Sequence, residues 1–238
     1  MRVLSIDLDY IMGPTIEVYN SEEFHPNPVL RWEKFFKRTD FNENNFYIDQ
    51  GALIYCYDLF LKSLKNNPTV VFGYEHDQIL YQIGNLENID LINIDHHDDV
   101  MHGGGSKNLM SEYKNLCKYD EVCEGNWIAW LHAKGQLNSA VWICNKNSGN
   151  LGRNDFNEDL LGDKYSTFTR DAYDFDDYNF DHVFICLSPQ YIPPRHWHYF
   201  TMFMIVYEEI TGNDINLITN RKYGYDRKFD KTTERILR

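Results

Sequence analysis

No stretch of this 238-residue chain is apolar for long enough to cross a bilayer. Its start carries no export pattern either, since Met1-Arg2-Val3-Leu4 runs directly into a strand-like segment. No membrane attachment is expected, and a cytoplasmic location is. Cysteine is sparse: Cys56, Cys117, Cys123, Cys144 and Cys186 are odd in number and scattered, which argues against a disulfide framework. Cys117 and Cys123 lack a second ligand pair at zinc-finger spacing, so most of these thiols read as small buried apolar groups. Positive charge is also short. The 23 Lys and Arg against 36 Asp and Glu leave a formal net charge of −13, which makes nucleic-acid binding through phosphate neutralisation a poor expectation. Such a surface attracts cationic ligands, and it equally serves solubility.

What the chain does have is core material. Apolar residues make up 43% and aromatics 16%, too much for wholesale disorder. With no internal repeat and no clear linker, one αβα domain over residues 1–238 is the simplest account, a three-layer α/β fold with a mainly parallel sheet. Strand-like runs at Val3–Ile6, Val70–Phe72, Leu91–Ile94, Ala140–Cys144 and His182–Leu187 alternate with helical patterns. The helices are expected over Val29–Lys37, Ile48–Lys65, Gln78–Ile83, Trp127–Lys134 and Trp197–Ile210. Within the second of these, Leu53, Tyr57, Phe60, Leu61 and Leu64 form an apolar stripe of the kind that packs a core. Glu17–Asn27 is polar, with Pro26 and Pro28 opposing early helix formation. Gly103-Gly104-Gly105-Ser106 reads as a flexible connection, able to let a loop move over a site. It lacks the strand and trailing lysine of a phosphate-binding loop. Asn145–Tyr165 is a long irregular excursion, of a kind more often functional than idle. Arg170–Asp177 interleaves aromatics with carboxylates and reads as a solvated loop or a docking rim for a basic peptide. Tyr223–Arg238 is basic and polar, a tail or a homo-oligomer contact.

The chemistry concentrates where strands end. Leu91-Ile92-Asn93-Ile94 leads into Asp95-His96-His97-Asp98-Asp99, and Val3-Leu4-Ser5-Ile6 leads into Asp7-Leu8-Asp9. A third run, Thr69-Val70-Val71-Phe72-Gly73, delivers Tyr74-Glu75-His76-Asp77. In extended chain, residues two apart share a face, so Asp95, His97 and Asp99 are expected to converge, as are Asp7 and Asp9. Acidic and imidazole groups gathered at the carboxyl edge of a parallel sheet need neutralising, and a divalent cation does so directly. Six carboxylate and imidazole ligands without a thiolate suit two cations such as Mn²⁺ better than one structural Zn²⁺.

These motifs resemble the ureohydrolase superfamily of arginase, agmatinase and relatives, in which a histidine after a glycine-bearing turn, a DxHxD and a DxDxxxxP-like element build the metal site. Here the element Ser5-Ile6-Asp7-Leu8-Asp9-Tyr10-Ile11-Met12-Gly13-Pro14 lies at the amino terminus. That order looks like the permuted branch, the peptide arginases, which convert arginine within a ribosomally made peptide to ornithine and release urea. The likeness spans Ser5 to Pro194. It implies an arginase-like sheet with permuted strand order, two Mn²⁺ or other divalent ions, and an arginine-containing precursor peptide as partner. By the same resemblance, Asp7 and Asp95 bridge the ions, His76 and Asp99 complete one shell, and His97 and Asp9 the other. Asp99 orients the attacking hydroxide and His102 is the nearest candidate for proton transfer. His96 reads as a structural neighbour or a partner that supports a ligand. Trp127 is a candidate aromatic wall for the arginine side chain, with Tyr10 and Met12 in similarly suggestive positions.

One position departs from the family. Its last core strand ends in a glutamate that grips the guanidinium, whereas Leu187-Ser188-Pro189-Gln190-Tyr191-Ile192-Pro193-Pro194 puts Gln190 there. An amide offers one acceptor where a carboxylate accepts two parallel bonds, a difference of ~1–3 kcal/mol. Gln190 is an introduced replacement, a natural variant of altered specificity, or a residue outside the true alignment. A small guanidino or amidino substrate such as agmatine, and a catalytically silent peptide-binding relative, are the alternatives to peptide arginine hydrolysis.

Overall fold

Alternating side chains of the central strands feed two separate apolar layers. In β1 (Arg2–Asp7), Leu4 and Ile6 join one cluster and Val3 the other. In β2 (Thr69–Gly73), Val70 and Phe72 oppose Val71 in the same way. A strand buried on both faces belongs inside a parallel sheet covered by helices on each side, and these are. A computed structural model describes residues 1–13, 27–40, 43–100, 122–148 and 162–219. Its remaining strands are β3 (Ile89–Asp95), β4 (Leu137–Cys144), β5 (Tyr165–Thr169), β6 (His182–Cys186) and β7 (Leu217–Ile218). All seven run parallel, in the order β5-β4-β3-β1-β6-β2-β7.

One face carries α1 (Pro28–Arg38), α2 (Gln50–Ser63) and α5 (His198–Thr211), contributing Trp32, Phe60 and Phe203 among others. The other carries α3 (Leu80–Ile83) and α4 (Trp127–Ala133), with Ile83, Ile128 and Leu131. The helix starts follow ordinary capping chemistry. Asn27 accepts from the amides of Val29 and Leu30 ahead of Pro28, and Asp49 accepts from Ala52. The expected helices are all present, shifted by a residue or two, and the 78–83 link begins as a 3-10 turn at His76.

Two strands were not expected from sequence. β5 emerges from what reads as an irregular excursion, and β7 is two residues long. The Gly103–Ser106 run, Tyr223–Arg238, residues 14–26 and residues 149–161 lie outside the described residues. Residues 170–180 run from the end of β5 towards the start of β6. Tyr173, Phe175 and Tyr178 are half-buried against the α2 side, while Asp171, Asp174, Asp176 and Asp177 face solvent. Among the described residues, no helix is long and apolar enough to cross a membrane.

Candidate metal centre

Strand register assembles the site. Ile6 pairs with Ile94, so Asp7 and Asp95 leave β1 and β3 side by side at the carboxyl edge. β6 runs along the other side of β1, and β2 beyond it delivers His76 to the same edge. Gly73 gives this path its room: a Cβ there would lie 2.6 Å from the Phe184 ring and 2.8 Å from Gln78 Oε1, and one of them would have to shift. That Gln78 oxygen accepts from the Tyr74 amide at 2.8 Å and fixes the turn into His76.

The ligands past each strand converge by turns, and not by the extended alternation expected. Asp7 caps a 3-10 turn over Leu8–Ile11, its Oδ1 accepting from the Asp9 amide at 3.1 Å. Asp95 does the same for His97, at 2.8 Å. Asp99 returns to the cluster through a left-handed backbone, φ 51°. Ser188, at φ 48°, is the second left-handed residue at this edge, and its hydroxyl donates to Asp7 Oδ2. Holding non-glycine residues there costs about 1 kcal/mol or more each, which marks a site whose geometry is imposed by its surroundings.

All six expected ligands meet. His76 Nδ1 lies 2.7 Å from Asp99 Oδ2, 3.0 Å from Asp95 Oδ2 and 3.3 Å from Asp7 Oδ2. His97 Nδ1 lies 3.0 Å from Asp9 Oδ2 and 3.5 Å from Asp95 Oδ1. Two three-residue groups result, Asp7-His76-Asp95 and Asp9-Asp95-His97, with ligand atoms within 4.8 Å of one another. Asp95 belongs to both, one oxygen towards each histidine. Asp7 belongs to the first alone and turns its other oxygen to the Asp9 amide.

The donor set fits a metal. His76 Nδ1 has three carboxylate oxygens within 3.3 Å and Asp9 Oδ2 has His97 Nδ1 at 3.0 Å, yet neither contact has the alignment of a good hydrogen bond. A histidine nitrogen and carboxylate oxygens crowded together without aligned hydrogen bonds are what a shared cation satisfies. On its far side, His76 Nε2 sits 2.6 Å from Ser5 Oγ, which aims Nδ1 inward.

Charge tells the same story. Burial disfavours protonated His76, but the Asp99, Asp95 and Asp7 carboxylates overcome it and hold its pKa well above the usual value. His97 is raised likewise, against burial, by Asp9 and Asp95. Burial and the Asp9 and Asp95 charges push Asp7 well up, and burial with Asp95 carries Asp99 to about 7, against the pull of His76. Asp95 alone is held well below its ordinary value: burial opposes this, but His76 and His97 flank it on both sides. The cluster therefore draws in positive charge, as protons or as cations.

The other expected residues divide. His96 is structural: its ring sits between Ser148 Oγ and the Met12 carbonyl, 3.0 Å from each, and its amide reaches Asp9 Oδ1 at 3.4 Å. Trp127 is not a wall at an entrance. It is fully buried, and its indole N–H donates to Asp99 Oδ2 at 2.5 Å. Tyr10 and Met12 are core residues. His102 lies outside the described residues. Gln190 is buried beside the cluster, between Ser188, which holds Asp7, and Tyr191, whose ring centroid is 4.6 Å from that of His97.

Sequence reasoning missed Ser5, Ser188 and Tyr191. Ser5 was findable, since it shares a strand face with Asp7 two residues on. Ser188 and Tyr191 had no local signal. Burial, with Glu75, Asp77 and Asp99 nearby, also raises Glu124 to about 8, a further acidic group close to the centre.

No family model matches this chain, and neither does any curated protein or solved structure.

Proposed function

We propose that the chain is a dinuclear-metal hydrolase that cleaves the guanidinium group of arginine residues in a precursor peptide, giving ornithine and urea. The observation that carries this reading is the position of Asp95, one carboxylate shared between two triads, the first buried and the second buried except for a half-buried His97, at the carboxyl edge of a parallel sheet. The arginine specificity comes from the motif resemblance and the acidic balance of the chain.

Asp7, His76, Asp95 and Asp99 would hold one ion, and Asp9, Asp95 and His97 the other. Carboxylate and imidazole donors without thiolate suit Mn²⁺. Two such ions, when bound, lower the pKa of a shared water and supply hydroxide near neutral pH. The protein's part is positioning. Trp127 clamps Asp99 through Oδ2, leaving the other oxygen to orient the attacking water. Ser5 and Ser188 fix His76 and Asp7. Gln190 accepts a guanidinium hydrogen through Oε1, and His102 is the candidate that hands a proton to the departing amine.

The test is incubation of the Mn²⁺-loaded protein with free arginine, agmatine and an arginine-bearing peptide, read by urea release and peptide mass. Loss of about 42 Da from the peptide, dependent on metal, is expected. Turnover of agmatine alone would transfer the assignment to a small amidino substrate. No turnover of any of the three with both ions bound would leave a silent peptide-binding relative.

A further inference from the structure

One ligand of the centre differs from the other five in its access to water. The His97 side chain is 21% exposed, whereas those of Asp7, Asp9, His76, Asp95 and Asp99 are at most 4% exposed. Neighbours back the buried ones. Ser188 holds Asp7, Trp127 holds Asp99, the His96 amide reaches Asp9, and Ser5 and the Phe184 ring flank His76. The open side of the centre is therefore the side of His97. The Tyr191 ring stands there, half-buried, its centroid 4.6 Å from that of His97 and its plane tilted by 42°. Its backbone is tied to the same edge. The Tyr191 amide donates to the Ser188 carbonyl at 2.9 Å, and the Ser188 hydroxyl donates to Asp7. Among the described residues, neither apolar layer of the sheet includes Tyr191.

An aromatic ring at the opening of an acidic cluster suits a cation with a flat face. A guanidinium is such a group, and it stacks on aromatic rings where an ammonium acts as a point charge. We propose that Tyr191 is a substrate-binding residue, the wall against which the guanidinium of an arginine side chain lies as it enters past His97. This rests on the hydrolase reading above. The aromatic wall expected at Trp127 is thereby moved to the ring that the fold puts at the open side. A stacking wall holds the substrate and the transition state alike, so it lowers KM and leaves kcat alone.

The experiment follows an arginine-bearing peptide on the full Mn²⁺-loaded chain in wild type, Tyr191→Phe and Tyr191→Leu. It reads KM where the peptide turns over and Kd where it only binds, so a silent protein still tests the inference. Tyr191→Leu should weaken the peptide about tenfold, within the roughly twofold to thirtyfold that a cation on a ring contributes. Tyr191→Phe keeps the ring and should stay within about twofold of wild type. In both variants kcat and the metal content, measured by elemental analysis, should be unchanged. A Tyr191→Leu protein that holds the peptide as tightly as wild type overturns the inference and leaves the hydrolase reading standing. So does equal weakening in the two variants, which assigns the effect to the hydroxyl, or loss of metal from Tyr191→Leu, which makes the ring a prop for His97. A wild-type protein that neither binds nor converts the peptide overturns the two together.

Discussion

Trp127→Phe isolates the part of the account that depends on a single hydrogen bond. The ring stays aromatic and buried, but Asp99 Oδ2 loses the indole N–H that now reaches it at 2.5 Å. Hydrogen bonds to charged groups contribute about 1.5–3 kcal/mol. Spent on the ionised form of Asp99, that amount corresponds to roughly a 10- to 150-fold loss of metal affinity at neutral pH. The smaller ring also leaves a cavity, which lowers stability without regard to metal or pH. The two effects separate by titration. Asp99 already sits at about 7 through burial and the Asp95 charge, so a proton competes with the cation there. Removing the donor raises that value further. The affinity deficit of Trp127→Phe should therefore be large at pH 6.5 and several-fold smaller at pH 8.5, where the carboxylate is ionised in the wild type and increasingly so in the variant. Calorimetric titration with Mn²⁺ at the two pH values measures it. A variant that binds Mn²⁺ as tightly as wild type at pH 6.5, or with a deficit that does not vary with pH, would refute the role given to Trp127.

Three more expectations follow from the same geometry. Asp95→Asn should abolish binding at both positions, whereas His97→Ala should leave one ion per chain, and elemental analysis after gel filtration counts them. In the metal-free protein, Asp99, His76 and His97 all keep protons that the unfolded chain releases, at carboxylate and imidazole pKa values of about 4 and 6.5. That contribution is lost as pH rises through the folded values, so the metal-free Tm should fall between pH 6 and 8. Added Mn²⁺ should restore it, and the gap between loaded and chelator-treated protein should widen with pH; a constant gap contradicts this. Ser5→Ala should weaken metal binding by about 10-fold while leaving the fold intact by circular dichroism, because it frees the His76 ring without touching a ligand.

The sequence was informative where the physics is local. Strand-ending apolar runs identified β1, β2 and β3, and with them Asp7, His76 and Asp95 at one edge. Period-two alternation accounts for the convergence only in part. Asp9, His97 and Asp99 come in through a 3-10 turn, a side-chain-capped turn and a left-handed residue, none of which period-two alternation predicts. The role of Trp127 was not legible, because its partner Asp99 is 28 positions away and only folding brings them together. Ser188 and Tyr191 are the same case across a longer span, joining Asp7 and His97 from the far end of β6. β5 and β7 were missed because edge strands this short are fixed by their neighbours, Cys144 and Gly73 among them, more than by their own propensity.

The most direct test of the central claim is an anomalous-difference map from crystals of the Mn²⁺-loaded protein. Two peaks are predicted, one beside His76 and Asp7, one beside His97 and Asp9, with the Asp95 carboxylate touching both. A single peak, or two that do not share Asp95, would contradict it.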